Sequence, residues 1–78
     1  MININLSNGT IAKIKYDPKT EVLAVVYRGQ KGIYTYEYLD VPKEALIAMT
    51  GNSGKEGFSY GRWLAQHIKK KYKYRKID

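Results

Sequence analysis

Apolar and polar positions alternate along the first half of the chain, and then the period changes. Met1-Ile2-Asn3-Ile4-Asn5-Leu6 alternates up to a turn signal at Asn8-Gly9, which makes residues 1–8 an N-terminal arm. Ile11 to Tyr16 places Ala12, Ile14 and Tyr16 on one side and Lys13 and Lys15 on the other, the pattern of a half-buried strand. Asp17-Pro18-Lys19-Thr20 is a turn: Pro18 presets φ at its second position, and the Asp17 carboxylate can accept from the backbone that follows. Glu21 to Arg28, rich in Val, Leu and Tyr, is a second strand. Gly29-Gln30-Lys31-Gly32 is a hairpin loop, and Ile33 to Tyr38 a third strand with Tyr34, Tyr36 and Tyr38 on one face. Short connections between the three runs predict an antiparallel meander.

From Leu39 the spacing is helical. Asp40 is a candidate cap, with Val41 and Pro42 in the first turn and Ala45, Leu46 and Met49 on the apolar side, before an end at Thr50-Gly51. Gly51 to Gly57 is a polar, glycine-rich loop. A second helix is expected from about Ser59, with Tyr60, Trp63, Leu64 and Ile68 as its apolar stripe. Arg62, Gln66, Lys69 and Lys73 recur at helical spacing on its other face. The pattern thus predicts an α+β fold, β-β-β-α-α, in which a three-stranded antiparallel meander is followed by two helices packed on one sheet face. The expected core is Ile14, Leu23, Val25, Tyr27, Tyr34, Tyr36, Leu46, Trp63, Leu64 and Ile68. Val22, Ala24 and Val26 fall on the opposite face of the second strand, where they form a self-association surface unless the arm covers them through Ile2, Ile4 and Leu6.

Seventy-eight residues allow one domain with one core, spanning 1–78, and exclude an enzyme with separate cofactor and substrate domains. Eighteen Val, Ile, Leu and Phe residues suffice for collapse despite the charge. With no cysteine, disulfides, thiol nucleophiles and cysteine-ligated zinc are excluded. The apolar runs are too short for a membrane helix, and no membrane association is expected. The N-terminus lacks the basic start and apolar run of a signal peptide, so a cytoplasmic location is expected.

No constellation for catalysis emerges. Gly51-Asn52-Ser53-Gly54-Lys55 has glycines too close together for a phosphate loop, carries Glu56 in place of the hydroxyl residue and follows a helix instead of a strand. His67 is the only histidine, and no carboxylate shares its helix to orient it as a base. Catalytic residues, cofactors and metal ligands are therefore all assigned as none.

Charge is the informative feature. Fourteen basic and seven acidic residues give +7, and the excess is uneven. Residues 1–56 hold seven basic and six acidic side chains, whereas residues 57–78 hold seven basic and one acidic. The basic tail, residues 69–78, interleaves tyrosines with cations: Lys69, Lys70, Lys71, Tyr72, Lys73, Tyr74, Arg75 and Lys76. Cations suit phosphates and aromatic faces suit unpaired bases. These residues, with Arg62, are the candidate nucleic-acid contacts. Tyr34, Tyr36 and Tyr38 are instead assigned to the core, because the opposite set Ile33, Thr35 and Glu37 is the wetter one.

One further pattern combines these elements. A meander with Tyr34-Thr35-Tyr36 in its third strand precedes Val41-Pro42 opening a helix, a Ser/Gly loop, an aromatic helix, and the ending Ile68-x-x-x-Tyr72-x-Tyr74-x-x-Ile77. From Ser7 to Ile77 this resembles the KTSC domain, which takes its name from the C-terminus of some lysyl-tRNA synthetases and also occurs alone in small bacterial and phage proteins. Lys73 departs from the family pattern, where proline is frequent between the two tail tyrosines. The resemblance implies the fold and carries a suggestion of RNA binding; it supplies no catalytic residues. The sequence therefore predicts a small non-enzymatic nucleic-acid-binding domain, RNA ahead of DNA, working through its basic C-terminal end. The alternative is a protein-interaction module that binds an acidic partner or self-associates, so that the chain is a monomer or a weak homo-oligomer.

Overall fold

The computed structural model describes residues 1–7 and 9–77. The element order is β1 (Ile2–Asn5), β2 (Ile11–Asp17), β3 (Val22–Gly29), β4 (Gly32–Tyr38), α1 (Lys43–Asn52), α2 (Tyr60–His67) and β5 (Tyr74–Ile77). The strands form one antiparallel five-stranded sheet in the order β1-β2-β3-β4-β5. The α+β class holds, but the expected three-stranded meander is corrected to five strands. Both additional strands are edges made from segments read as an arm and a tail. Residues 2–5 are ladder-paired to β2 and residues 74–77 to β4, so neither segment lies loose across a face.

Register explains how the faces are populated. Ile4 pairs with Ile14, Ile14 with Val25, and Val25 with Tyr36; Tyr16 pairs with Leu23, and Leu23 with Tyr38. Side chains on a strand alternate in direction, so these residues share one face, and a one-residue slip would turn them all outward. The core lies between that face and the helices: Ile11, Ile14, Tyr16, Leu23, Val25, Tyr38, Val41, Leu46, Met49, Leu64 and Ile68 are buried. The register shift between Ile11 and Lys13 is a bulge at Ala12, which keeps Ile11 opposite Tyr27 and inside. Ile2, Ile4 and Leu6 pack against the same core. The arm therefore extends the sheet and leaves Val22, Ala24 and Val26 on the open face uncovered by it.

The local devices are specific. The Asp17 turn forms as expected, with the Lys19 N–H donating to Asp17 Oδ1 at 2.9 Å and the Glu21 N–H to the Asp17 carbonyl at 2.8 Å. The Arg28 guanidinium reaches back across the sheet and donates to the carbonyls of Leu6, Gly9 and Ile11, which engages this cation in holding the β1–β2 connection. Asp40 is not a helix cap: its φ is +57°, and Pro42 precedes the first turn of α1 in an extended conformation. Val41 leaves the expected helix to enter the core, where its carbonyl accepts the buried Tyr16 hydroxyl at 2.6 Å. Ser59 does cap α2, its Oγ accepting from the Arg62 N–H at 3.4 Å.

Four residues assigned to the core, Tyr27, Tyr34, Tyr36 and Trp63, lie at or beyond its margin, Tyr27 being only partly buried against it. Trp63 is half-buried and stacks on the exposed His67 ring at 4.5 Å between centroids. Tyr36 packs against the edge of the core, and Tyr34 lies past it. Along β4 burial increases from Gly32 towards Tyr38, the residue of the strand that joins the buried cluster with Leu46, Met49, Leu64 and Ile68.

Candidate nucleic-acid interface

The basic C-terminal stretch folds as three unlike pieces. Arg62 lies exposed in the first turn of α2. Lys69, Lys70 and Lys71 are exposed in a turn beyond the other end of that helix. Tyr74 to Ile77 is an edge strand. The expected helical face of Arg62, Gln66, Lys69 and Lys73 does not form, since α2 ends at His67. Its end is set by Ile68, which is fully buried and anchors the chain, and by the Lys69 N–H, which donates to the Leu64 carbonyl at 2.8 Å. Tyr72 then packs half-buried against the core, with the Lys71 ammonium 5.8 Å from its ring centroid. The Lys73 carbonyl accepts the Leu39 N–H at 2.8 Å, bringing the chain alongside β4, while the residue itself stays exposed.

Strand alternation then separates the last cations. Tyr74 pairs with Tyr38 and Lys76 with Tyr36, on the helix-side face. Arg75 pairs with Glu37 and Ile77 with Thr35, on the open face. Arg75 Nε and Nη2 each lie 2.8 Å from Glu37 Oε1, so this guanidinium is offset by a carboxylate. Of the nine candidate contacts, the structure brings Tyr74 and Lys76 together with the β4 tyrosines. It places Arg62 and Lys69 to Lys71 elsewhere on the surface.

That juxtaposition includes residues the sequence reading assigned to the core. Tyr34 stacks on Tyr27 at 5.4 Å and 19°; Tyr36 meets Tyr27 and Tyr34 edge-on at 5.6 Å and Tyr74 at 5.2 Å. Tyr74 also leans on Tyr38 at 5.8 Å and keeps 54% of its surface exposed. The Lys76 ammonium lies 5.6 Å from the Tyr34 ring centroid. Beside them, at the tip of the β3–β4 hairpin, is an open depression of about 490 Å³ lined by Gly29, Lys31, Gly32, Tyr34 and Lys76 among others. Tyr27 and Tyr38 share a hydrogen bond of 3.2 Å between their hydroxyls. Burial, reinforced by that bond, pushes the Tyr27 hydroxyl far above its ordinary value, and burial raises Tyr38 as well. Lys31, Tyr34 and Tyr36 were missed as site residues because their neighbour β5 comes from the far end of the sequence; the visible signal was the Tyr-x-Tyr alternation itself.

Among the described residues no cluster of three or more His, Cys, Asp or Glu side chains could hold a metal ion, and no helix is long and apolar enough to cross a membrane. The site so defined is a surface of rings and cations on an α+β sheet domain. The KTSC domain family model matches residues 7–72, and the chain belongs to that family. The crystal structure of a KTSC domain protein from Yersinia pestis superposes with a TM-score of 0.76 at 34% identity, covering 99% of this chain and 97% of that one. No curated protein matches the chain.

Proposed function

We propose that this chain is a non-enzymatic nucleic-acid-binding domain of the cytoplasm, with RNA favoured over DNA, that makes its contacts through the basic C-terminal end. The observation that carries the reading is the charge imbalance. Residues 57–78 hold seven basic side chains against one acidic, and Arg62, Lys69, Lys70, Lys71, Lys73, Arg75 and Lys76 are all exposed. Cations at a helix end also complement its dipole, but that role needs only the last turn and does not account for charge continuing along an edge strand. Each phosphate that such a cation neutralises releases counterions, although Arg75 is already offset by Glu37. With about four cations engaged, log K for a single strand should fall with log salt at a slope of about −3. Fluorescence anisotropy of a labelled oligonucleotide across a salt series measures this, and Lys69, Lys70 and Lys73 changed together to Gln should make the slope shallower. Absence of binding at low salt rejects the reading.

The open sheet face supports a second reading, a surface for an acidic protein partner or another copy. Val22, Ala24 and Val26 are half-buried there, and Ile33 and Ile77 remain 71% and 39% exposed. Sedimentation that stays monomeric at high concentration would remove the self-association form of it.

A further inference from the structure

The helix-side face of the sheet does not end where the helices end; it continues as a tyrosine surface on β3, β4 and β5. We propose that this surface is a stacking site for unpaired nucleobases, with Tyr34 and Tyr74 as its platforms and Lys31, at the hairpin tip, reaching a flanking phosphate. The inference rests on the nucleic-acid reading above and adds to it the form of ligand, a single strand, and a location on the sheet.

Three observations carry it. Both platform rings are held in place before any ligand arrives. Tyr74 is more than half exposed, yet it is braced edge-on by Tyr36 and tilted against Tyr38. Tyr34 is stacked on Tyr27 and lies close over Gly29, where a Cβ would come within 2.7 Å of Tyr34 Cε1. Gly29 lacks the positive φ of its neighbour Gly32, so what its missing side chain provides is room for the ring. A fixed ring loses little freedom when a base stacks on it.

The second observation is the partnering of ring and cation. Lys76 lies over Tyr34, and Lys31 and Lys76 line the hairpin depression beside that ring. The third is that no carboxylate of β3, β4 or β5 shares this face. The rings are neutral at physiological pH as any tyrosine is, and the one carboxylate on β4, Glu37, lies on the opposite face bound to Arg75. A duplex, with its bases already stacked inside, could use the lysines but not the rings. An acidic peptide would likewise leave the rings unused.

The test is anisotropy on three labelled probes: an unstructured RNA of about ten nucleotides, the DNA of the same sequence, and the corresponding RNA duplex. Tyr34→Leu and Tyr74→Leu should each weaken binding to both single strands by roughly tenfold and leave duplex binding unchanged. Gly29→Ala, which displaces the Tyr34 ring without removing it, should weaken single-strand binding in the same sense. Circular dichroism and melting establish that each variant folds. For any variant that does not, NMR of the parent protein decides: ring protons of Tyr34 and Tyr74 should shift with the single strands and not with inorganic polyphosphate. Tighter RNA than DNA binding by the parent would assign the strand as RNA, and the reverse as DNA. Tyrosine variants that bind single strands like the parent, or that lose duplex and single strand alike, overturn the stacking site. So does polyglutamate moving the same ring protons. If the tyrosine variants match the parent while the lysine variant loses binding, the charge-based reading survives alone; if the parent binds no probe at low salt, both fall.

Discussion

Under the helices the sheet is surfaced by Ile14, Leu23 and Val25, none of which keeps any exposed surface; towards β4 and β5 the same face is surfaced by Tyr27, Tyr34, Tyr36 and Tyr74. Aliphatic side chains have no polar end and gain in proportion to the area withdrawn from water. They suit the half that two helices cover completely. Tyrosine buries a ring and keeps a hydroxyl that must be either wet or bonded. It therefore suits the margin of a core, and where it goes fully inside it takes a partner, as Tyr16 does at Val41 and Tyr38 at Tyr27. One face thus serves as a core at one side and as an accessible aromatic surface at the other.

The largest expected effect tests that division directly. Leu23→Ala should lower unfolding free energy by about 2–5 kcal/mol, a large fraction of the stability of so small a domain. Tyr34→Leu should cost under about 1.5 kcal/mol, since its surroundings are half solvent and the swap stays bulky. Equal costs in chemical denaturation would mean that the tyrosine side is core after all.

A second effect comes from alkali. Burial raises the hydroxyls of Tyr16, Tyr27 and Tyr38 above the value near 10 that they take in the unfolded chain. The folded state then holds protons that the unfolded state has lost. Stability is full below about pH 10 and declines above it, by at most about 1.4 kcal/mol per pH unit for each tyrosine. Tyr27→Phe should make the decline shallower in pH-dependent unfolding, and an unchanged slope would place Tyr27 with the exposed tyrosines. The smallest effect belongs to the sheet edge. Arg75→Gln removes an exposed pair with Glu37 and should cost about 0.2–1 kcal/mol, less in high salt. A larger loss would show that β5 is held chiefly by that pair.

The central strands, the Asp17 turn and the start of the second helix near Ser59 were legible because each is written locally, in alternation, in a short polar motif or in a change of period. The edge strands were not. In β1, Ile-Asn-Ile-Asn alternates correctly, but four residues before a turn do not say whether they pair or cross a face. In β5, Arg75 and Lys76 follow closely on Lys69 and Lys73, which fall at helical spacing from Arg62, so the strand was hidden behind a plausible helix face and its basic tail. What ends that helix is the burial of Ile68, a tertiary fact. The candidate site was legible in Tyr74 and Lys76 and illegible in Tyr34 and Tyr36, whose alternation says which face they share and not how far the helices reach along it. The expected grouping of Arg62 with the tail assumed a continuous helix and failed with it.

β5 is joined to the sheet differently from every other strand. Neighbouring strands β1 to β4 follow one another through short connections, whereas both helices lie between β4 and β5. Docking β5 therefore closes a longer loop than any of the hairpins does, at a larger entropic cost. Releasing β5 would leave the other four strands paired, so this edge would open and close against a largely intact domain. A strand of nucleic acid lying over Tyr34 and Tyr74 would span that seam and, by mass action, hold it shut. Occupancy and edge closure would then be one equilibrium, with affinity set partly by how often the seam is already closed.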